Sequence, residues 1–146
     1  MNATPEPFEI PIAIRPADVD GMRHVNNVVY LRWVQDAAVA HWMAAAPVEE
    51  KARLLWIVLH HEIDYLHAAH MEDSIVARTW VGTATRLRFD RHTEILRASD
   101  RSVLARARTV WCPLDAVSRK PAHVSPEVRA KFSVTSPEPG PAGDPC

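Results

Sequence analysis

Residues 18–27 read DVDGMRHVNN and stand directly before a long apolar segment. They place two carboxylates, an imidazole and two side-chain amides close together. Asn26 or Asn27 is a favourable N-cap, so the free N–H groups of the first helical turn are expected to point towards Asp20 and His24. A helix N-terminus carries about half a positive charge, which would stabilise an oxyanion on a bound carbonyl. The stretch therefore favours acyl transfer, although Asp, Gly and Asn are also common in turns.

The segment after this stretch, from about residue 27 to 46, has apolar residues at helical spacing and ends before Pro47. Such a helix would be about 30 Å long. It should be buried on most sides, and a curved sheet wrapped around it would bury such a surface. Only a thin stripe is expected to face outwards: Arg32, Gln35, Asp36, Val39 and Met43.

Alternating apolar residues predict a first strand between Phe8 and Ile14. Pro11 inside it has no N–H for a ladder hydrogen bond, so this strand should lie at a sheet edge. A charged connector follows the helix, and then come four strand-like runs with short polar breaks, which favour antiparallel hairpins. A short final helix is predicted to begin at Ser125 and Pro126. The runs lie at about 56–66, 74–83, 86–97 and 102–114, and together with the helix they predict an α+β domain.

The residues before and within the first helical turn follow a recognisable spacing: Asp18, Asp20, His24, Val25, Asn26, Asn27 and Tyr30. This spacing resembles the active-site signature of the 4-hydroxybenzoyl-CoA thioesterase family of hotdog-fold proteins, D-x-D-x-x-G-H-V-N-N-x-x-Y. The resemblance covers about residues 8–132. It implies a hotdog fold, in which an antiparallel five-stranded sheet wraps around one long central helix.

The sequence departs from the family pattern at a few positions. Arg23 stands where the family usually has Gly, which changes the turn and the room left for an acyl group. Residues 64–66, Asp-Tyr-Leu, resemble the end of the family's second strand. There the usual Pro and Gly are replaced by Ala68 and Glu72.

The resemblance implies catalytic roles for three residues. Asp20 aligns with the acid that either attacks the thioester carbonyl or activates water as a general base; the alternative is a solvated turn residue. His24 would orient the carbonyl or the water, and the backbone amide of Asn27 would polarise the thioester. Asn26 either caps the helix or holds the Asp20 carboxylate, and Tyr30 either lines the acyl pocket or belongs to the core.

Coenzyme A carries phosphates, and arginine side chains suit phosphate oxygens. Arg86, Arg88 and Arg91 are the candidates for this substrate-binding role, although alternating charges are also typical of a solvent-facing strand. No glycine-rich phosphate loop, zinc motif or Gly-x-Ser-x-Gly elbow is present in the sequence, so no cofactor is expected. His67 and His70 lack an evident third ligand, and we therefore predict no metal site.

The composition limits the partners of the chain. Its 146 residues suit one domain, expected over residues 1–132, followed by a disordered tail at 133–146 that is rich in proline. A net charge of −1 predicts no binding to nucleic acid or to an anionic membrane. There is no apolar run of about 20 residues and no secretory signal, so a cytoplasmic location is expected. Cys112 and Cys146 are not expected to form a disulfide.

These observations predict an acyl-CoA thioesterase that releases a free carboxylic acid and CoA, as a homodimer or homotetramer. An enzyme acting on acyl carrier protein is one alternative, because surface arginines could also meet an acidic carrier. A non-catalytic acyl-binding hotdog module is another, because Arg23 alters the signature. A metal-dependent hydrolase that uses the histidines is a third.

Overall fold

The computed structural model describes residues 6–132, which form five strands and three helices. The strands are β1 (Phe8–Ile12), β2 (Leu54–Tyr65), β3 (Ile75–Ala84), β4 (Phe89–Arg97) and β5 (Val103–Asp115). The helices are α1 (Asn27–Ala45), α2 (Val48–Arg53) and α3 (Pro126–Phe132), and a 3-10 turn spans Pro16–Asp18. The charged connector expected after the long helix is therefore helical, with acidic residues in its first turn and basic ones in its last, which suits the helix dipole.

The strands form one antiparallel sheet in the order β1-β3-β4-β5-β2. Pro11 lies opposite Val76, on a strand that has only one neighbour, so the prediction of an edge strand is confirmed. The second edge is β2, whose register with β5 shifts between Val58 and His60. Within the described part of the chain, neither edge of the sheet has a further strand beside it.

Helix α1 packs against the sheet through the face opposite its exposed stripe. Trp33, Val34 and Ala37 are each at most 1% exposed and belong to the main core. The sheet contributes buried residues from β3, β4 and β5 to the same core: Ile75, Ala77, Ile95, Leu104, Ala105 and Ala107. This arrangement confirms the predicted α+β class, with a five-stranded antiparallel sheet around one long helix.

A second core lies at the other end of the sheet, under α3. Phe89 from β4 packs there with Val124, Val128 and Phe132. Ser125 accepts a hydrogen bond from the Val128 N–H at 3.4 Å through its hydroxyl. The predicted start of the last helix is therefore confirmed, and this helix closes one end of the molecule.

Three further expectations from the sequence concern the chain ends, the cysteines and membrane-spanning segments. Residues 1–5 and the tail at 133–146 lie outside the described residues. Cys112 is buried in β5 and is disulfide-bonded, so the expectation of unpaired cysteines is wrong; Cys146 lies outside the described residues. Between residues 6 and 132, none of the helices combines the length and hydropathy needed to span a bilayer.

Candidate active site

The stretch from Asp18 to Asn27 begins with a miniature hairpin. Val19 pairs with Val25, and the Asp20 N–H donates to the His24 carbonyl at 2.8 Å. Three residues connect the two sides, and the last of them, Arg23, has a φ of 64°. A three-residue hairpin loop commonly ends in this left-handed conformation, which glycine adopts most easily. This explains why the family pattern has Gly at the position of Arg23.

The hairpin fixes one oxygen of the Asp20 carboxylate. Oδ1 accepts hydrogen bonds from the backbone N–H groups of Met22 at 2.8 Å and His24 at 3.1 Å. Within residues 6–132, no group donates to Oδ2. Asp20 therefore stabilises the turn with one oxygen, while the second oxygen is available to a substrate.

Helix α1 begins directly after this hairpin. Asn26 occupies the N-cap position, but its side chain makes no capping hydrogen bond, so the expected side-chain cap is absent and the prediction of it is wrong. The backbone N–H groups of Asn27 and Val28 precede the intrahelical bonds. No loop or side-chain acceptor in the described part of the chain binds either of them. The helix start therefore presents free donors.

A cleft of about 500 Å³ collects these groups. The end of β2 and the loop after it form its opposite wall, through Tyr65, Leu66, His67 and Ala68. Its volume lies in the usual range for small-molecule sites. Five of the predicted site residues line it: Asp20, His24, Asn26, Asn27 and Tyr30.

Two tyrosines join the cleft walls. Tyr30 is 2% exposed, and its hydroxyl accepts a hydrogen bond from the Ala69 N–H at 2.9 Å. Burial raises the pKa of Tyr30, so it stays a neutral phenol at physiological pH. The Tyr65 hydroxyl donates to the Asn27 carbonyl at 3.1 Å, and the two rings meet edge to face at 5.4 Å. Tyr30 is thus both a core residue and part of the cleft wall.

His70 is a neighbour of the site that sequence reasoning left without a role there. Its ring lies 4.8 Å from the ring of His24, at an interplanar angle of 80°, and the two residues form an isolated β-bridge. His70 Nδ1 lies 3.7 Å from Asp73. Among residues 6–132, no three His, Cys, Asp or Glu side chains are grouped so that they could hold a metal ion. The contact with His70 therefore limits the orientations of the His24 ring.

Asp18 joins the start of the hairpin to Arg15 and to helix α1. It is 2% exposed and accepts hydrogen bonds from Arg32 at 3.0 and 2.9 Å and from the Arg15 N–H at 2.9 Å. The Arg32 guanidinium, which donates to both oxygens, holds the pKa of Asp18 below its usual range. Arg32 was expected to face solvent, and this non-local ion pair is the reason it folds back onto the loop.

The three arginines proposed for phosphate binding are not grouped together. Arg86, in the turn between β3 and β4, contacts the His123 ring at 3.1 Å, and Arg88 is half-buried in the same turn. Arg91 points into the interior and is 7% exposed. The cleft adjoins the residues before β3, and a strand of this length spans about 30 Å. Within one protomer these arginines therefore lie far from Asp20.

The sequence matches the model of the thioesterase-like superfamily over residues 14–132. The chain belongs to this superfamily. It is a thioester hydrolase with the hotdog fold, as the resemblance implied. No curated protein matches the chain.

Three solved structures show how closely this thioesterase follows the common fold. The 1,4-dihydroxy-2-naphthoyl-CoA thioesterase Slr0204 from Synechocystis is 23% identical, with a TM-score of 0.71, over 86% of this chain and 95% of that one. A thioesterase from Thermus thermophilus, complexed with coenzyme A and Zn, is 20% identical, with a TM-score of 0.73, over 86% and 97%. The probable thioesterase YbaW from Escherichia coli is 19% identical, with a TM-score of 0.68, over 86% and 95%.

Proposed function

We propose that this thioesterase hydrolyses acyl-CoA, with the scissile carbonyl bound between Asp20 and the first turn of α1. One observation carries the proposal: the free carboxylate oxygen of Asp20 and the free N–H of Asn27 belong to the same cleft. A thioester needs a nucleophile or base on one side and hydrogen-bond donors for its oxygen on the other. The cleft supplies both from residues that one short hairpin positions.

Asp20 has two chemical routes to the products. As a nucleophile, its Oδ2 attacks the carbonyl carbon, the carbon–sulfur bond breaks, and water then hydrolyses the acyl anhydride. As a general base, Oδ2 takes a proton from a water molecule, which itself attacks the carbonyl carbon. In both routes the developing oxyanion accepts a hydrogen bond from the Asn27 N–H. In the general-base route Asp20 passes the proton from water to the leaving thiolate of CoA, whereas in the nucleophilic route the thiolate takes a proton from solvent. His24 orients the carbonyl or the water, and Asn26 and Tyr30 shape the acyl side of the cleft.

Substitution of Asp20 tests the assignment. Asp20→Asn keeps the size of the side chain and removes its charge, so turnover of acyl-CoA should fall by at least about a hundredfold. Released thiol gives the readout over a panel of short, long and aromatic acyl groups. Asp36→Asn is the matched control, because Asp36 is exposed on α1 outside the cleft. Full turnover by a folded Asp20→Asn variant would refute the role of this carboxylate.

Oxygen labelling separates the two routes. In a single turnover in water enriched with oxygen-18, a nucleophilic Asp20 gives its own unlabelled oxygen to the acid product and takes up label when water attacks the Asp20 carbonyl carbon of the anhydride. A general base, or water attack on the acyl carbon of the anhydride, gives a labelled product in the first turnover, so label in Asp20 is the result that establishes the nucleophilic route. Mass spectrometry of the acid and of the Asp20 peptide distinguishes these outcomes.

Arg86 and Arg88 remain our candidates for contact with the phosphates of CoA. Because both lie far from Asp20 in their own protomer, this role requires a neighbouring subunit. An acyl carrier protein, as an acidic partner, would use the same arginines. Competition between the CoA and carrier forms of one acyl group distinguishes these substrates, and binding of the carrier should weaken more steeply with salt.

We further propose that the enzyme assembles as a homo-oligomer through β2. Among residues 6–132, no strand lies beside the outer edge of β2 in the sheet. Its apolar side chains Leu55, Ile57, Val58 and Leu59 are 36–40% exposed, and exposed apolar edges readily pair with another strand. The strand continues into Tyr65, which lines the cleft. A second copy on β2 would therefore border the active site.

A further inference from the structure

A second cavity, of about 90 Å³, lies beside the C-terminal half of α1. Trp42 lines it and lies fifteen residues after Asn27, which corresponds to about 22 Å along the helix. Among the described residues, none lines both this cavity and the Asp20 cleft. The two cavities are therefore separate sites at opposite ends of α1.

The wall of this cavity is aromatic. Trp42, Trp56, Phe89, Trp111 and Phe132 line it, and such side chains favour an apolar ligand body. Val39 also lines it and is 51% exposed, so the cavity reaches the protein surface beside α1. A small molecule has a path into it from solvent.

Arg91 gives this apolar cavity a buried positive charge. Its Nη1 donates to His41 Nδ1 and to the Thr79 hydroxyl, each at 3.0 Å. Both acceptors are neutral, and among residues 6–132 no carboxylate lies within ion-pair distance of Arg91. Burial lowers the pKa of Arg91 only to about 10, so the guanidinium stays charged at neutral pH. A buried charge without a counter-charge is costly.

Two further donors lack an acceptor in the same wall. The indole N–H groups of Trp56 and Trp111 are buried, and neither has a hydrogen-bond partner among residues 6–132, whereas buried donors are normally bonded. Among the described lining residues, Arg129 is the only other charged one, and it donates to the carbonyls of Ala84 and Thr85. No acidic side chain from residues 6–132 lines the cavity. The polar side chains among the described lining residues are thus all donors.

We propose that this second cavity binds a short-chain monocarboxylate, whose carboxylate pairs with Arg91 and accepts from the two indole N–H groups. The alkyl body would lie against the aromatic wall. A cavity of about 150 Å³ holds benzene in another protein. The smaller volume here favours a body of about four carbons, such as butyrate.

Titration of the full chain tests this assignment. Trp42, Trp56 and Trp111 line the cavity, so tryptophan fluorescence reports occupancy. Butyrate should bind at least about tenfold more tightly than butyramide, which has the same shape without the charge. Butyrate should also raise the melting temperature, because it binds only the folded state. Equal affinity for butyrate and butyramide would overturn the proposal.

Variants locate the binding site. Arg91→Met should abolish the preference for butyrate, and Trp111→Phe should weaken butyrate binding several-fold while keeping an aromatic wall. Arg119→Met removes the same charge from an exposed turn and should leave binding unchanged. Should Arg91→Met not fold, unchanged affinity in Trp111→Phe still counts against the proposal.

Asp20→Asn provides the remaining control. Because Asp20 lies in the other cleft, this variant should bind butyrate with unchanged affinity. A large change there would assign the carboxylate to the catalytic cleft and would overturn the second site. Neither outcome depends on whether Asp20 is catalytic, so the two proposals fail separately.

Discussion

Arg23 and Glu72 form an ion pair between the hairpin that carries Asp20 and the loop before β3. These are two of the positions at which the sequence departs from the family pattern, and both usually carry glycine. The side chain that replaces the first glycine therefore contacts the side chain that replaces the second. This contact gives Arg23 a partner but leaves its backbone in the left-handed conformation, with a φ of 64°.

Arg23→Gly should stabilise the protein, because glycine adopts a positive φ without steric cost. Removal of the steric cost at this position should raise the free energy of unfolding by about 1 kcal/mol. The higher entropy of glycine in the unfolded chain reduces this gain. The lost ion pair subtracts little, since both side chains are more than 60% exposed. Urea denaturation of the two proteins measures the difference.

Glu72→Gln is the control for the ion pair alone. It removes the charge without a change in backbone, and it should alter the free energy of unfolding by less than about 0.5 kcal/mol. If Arg23→Gly instead destabilised the protein by more than about 1 kcal/mol, the backbone at this position would not be strained.

Asp18→Asn should destabilise the protein by about 2–3 kcal/mol at pH 7, because it breaks a buried pair that holds the hairpin against Arg32. The folded pKa of Asp18 is lowered, so its stabilising effect is present above about pH 4 and is lost as the pH falls further. Denaturation at pH 7 and at pH 3 measures both effects. A wild-type advantage over Asp18→Asn that stayed constant between these pH values would contradict the account.

The elements of the fold could be predicted from the sequence because their signals are local. Helical spacing after Asn27, the stop at Pro47 and the edge position of Pro11 each depend on a few neighbouring residues. The sheet order could not be predicted in the same way. It places β2 beside β5 rather than beside β3, and this pairing joins segments that are distant in sequence.

The candidate site was predictable in part for the same reason. Asp20, His24 and Asn27 lie in one short stretch, so the spacing indicated their proximity. Arg91 shows what local reasoning missed. Along β4, Phe89, Arg91 and Thr93 share one face, which is buried, but the acceptor His41 comes from α1. The role of a charged residue in a strand therefore depended on a partner fifty positions away.

His41 should make the protein less stable as the pH falls below about 6.5. Burial, together with the nearby Arg91, lowers the pKa of His41 to about 3. Between these pH values only the unfolded chain binds a proton at this residue, so stability falls by about 1.4 kcal/mol per pH unit. His41→Gln keeps an acceptor for Arg91 but does not titrate. The stability of this variant should therefore lack the part of the pH dependence that comes from His41.

Denaturation of wild type and His41→Gln from pH 7 to pH 4 measures the His41 contribution as the difference between their free energies of unfolding. Nuclear magnetic resonance provides an independent check, because the His41 ring signals should not shift between pH 7 and 5. A midpoint near the ordinary histidine value of about 6.5 for His41 would contradict the assignment.

The β2 edge should decide the oligomeric state. Ile57→Lys places a charge among side chains of the edge strand β2 that are 36–40% exposed, and a lysine on an edge opposes strand pairing. The variant should have the mass of one 16.4 kDa chain in sedimentation, whereas wild type should have at least twice that mass.

Val117→Lys is the control, since Val117 is 93% exposed in a turn outside β2. An oligomer that survived Ile57→Lys would place the interface elsewhere. Loss of turnover together with the oligomer would support an active site completed by the second copy.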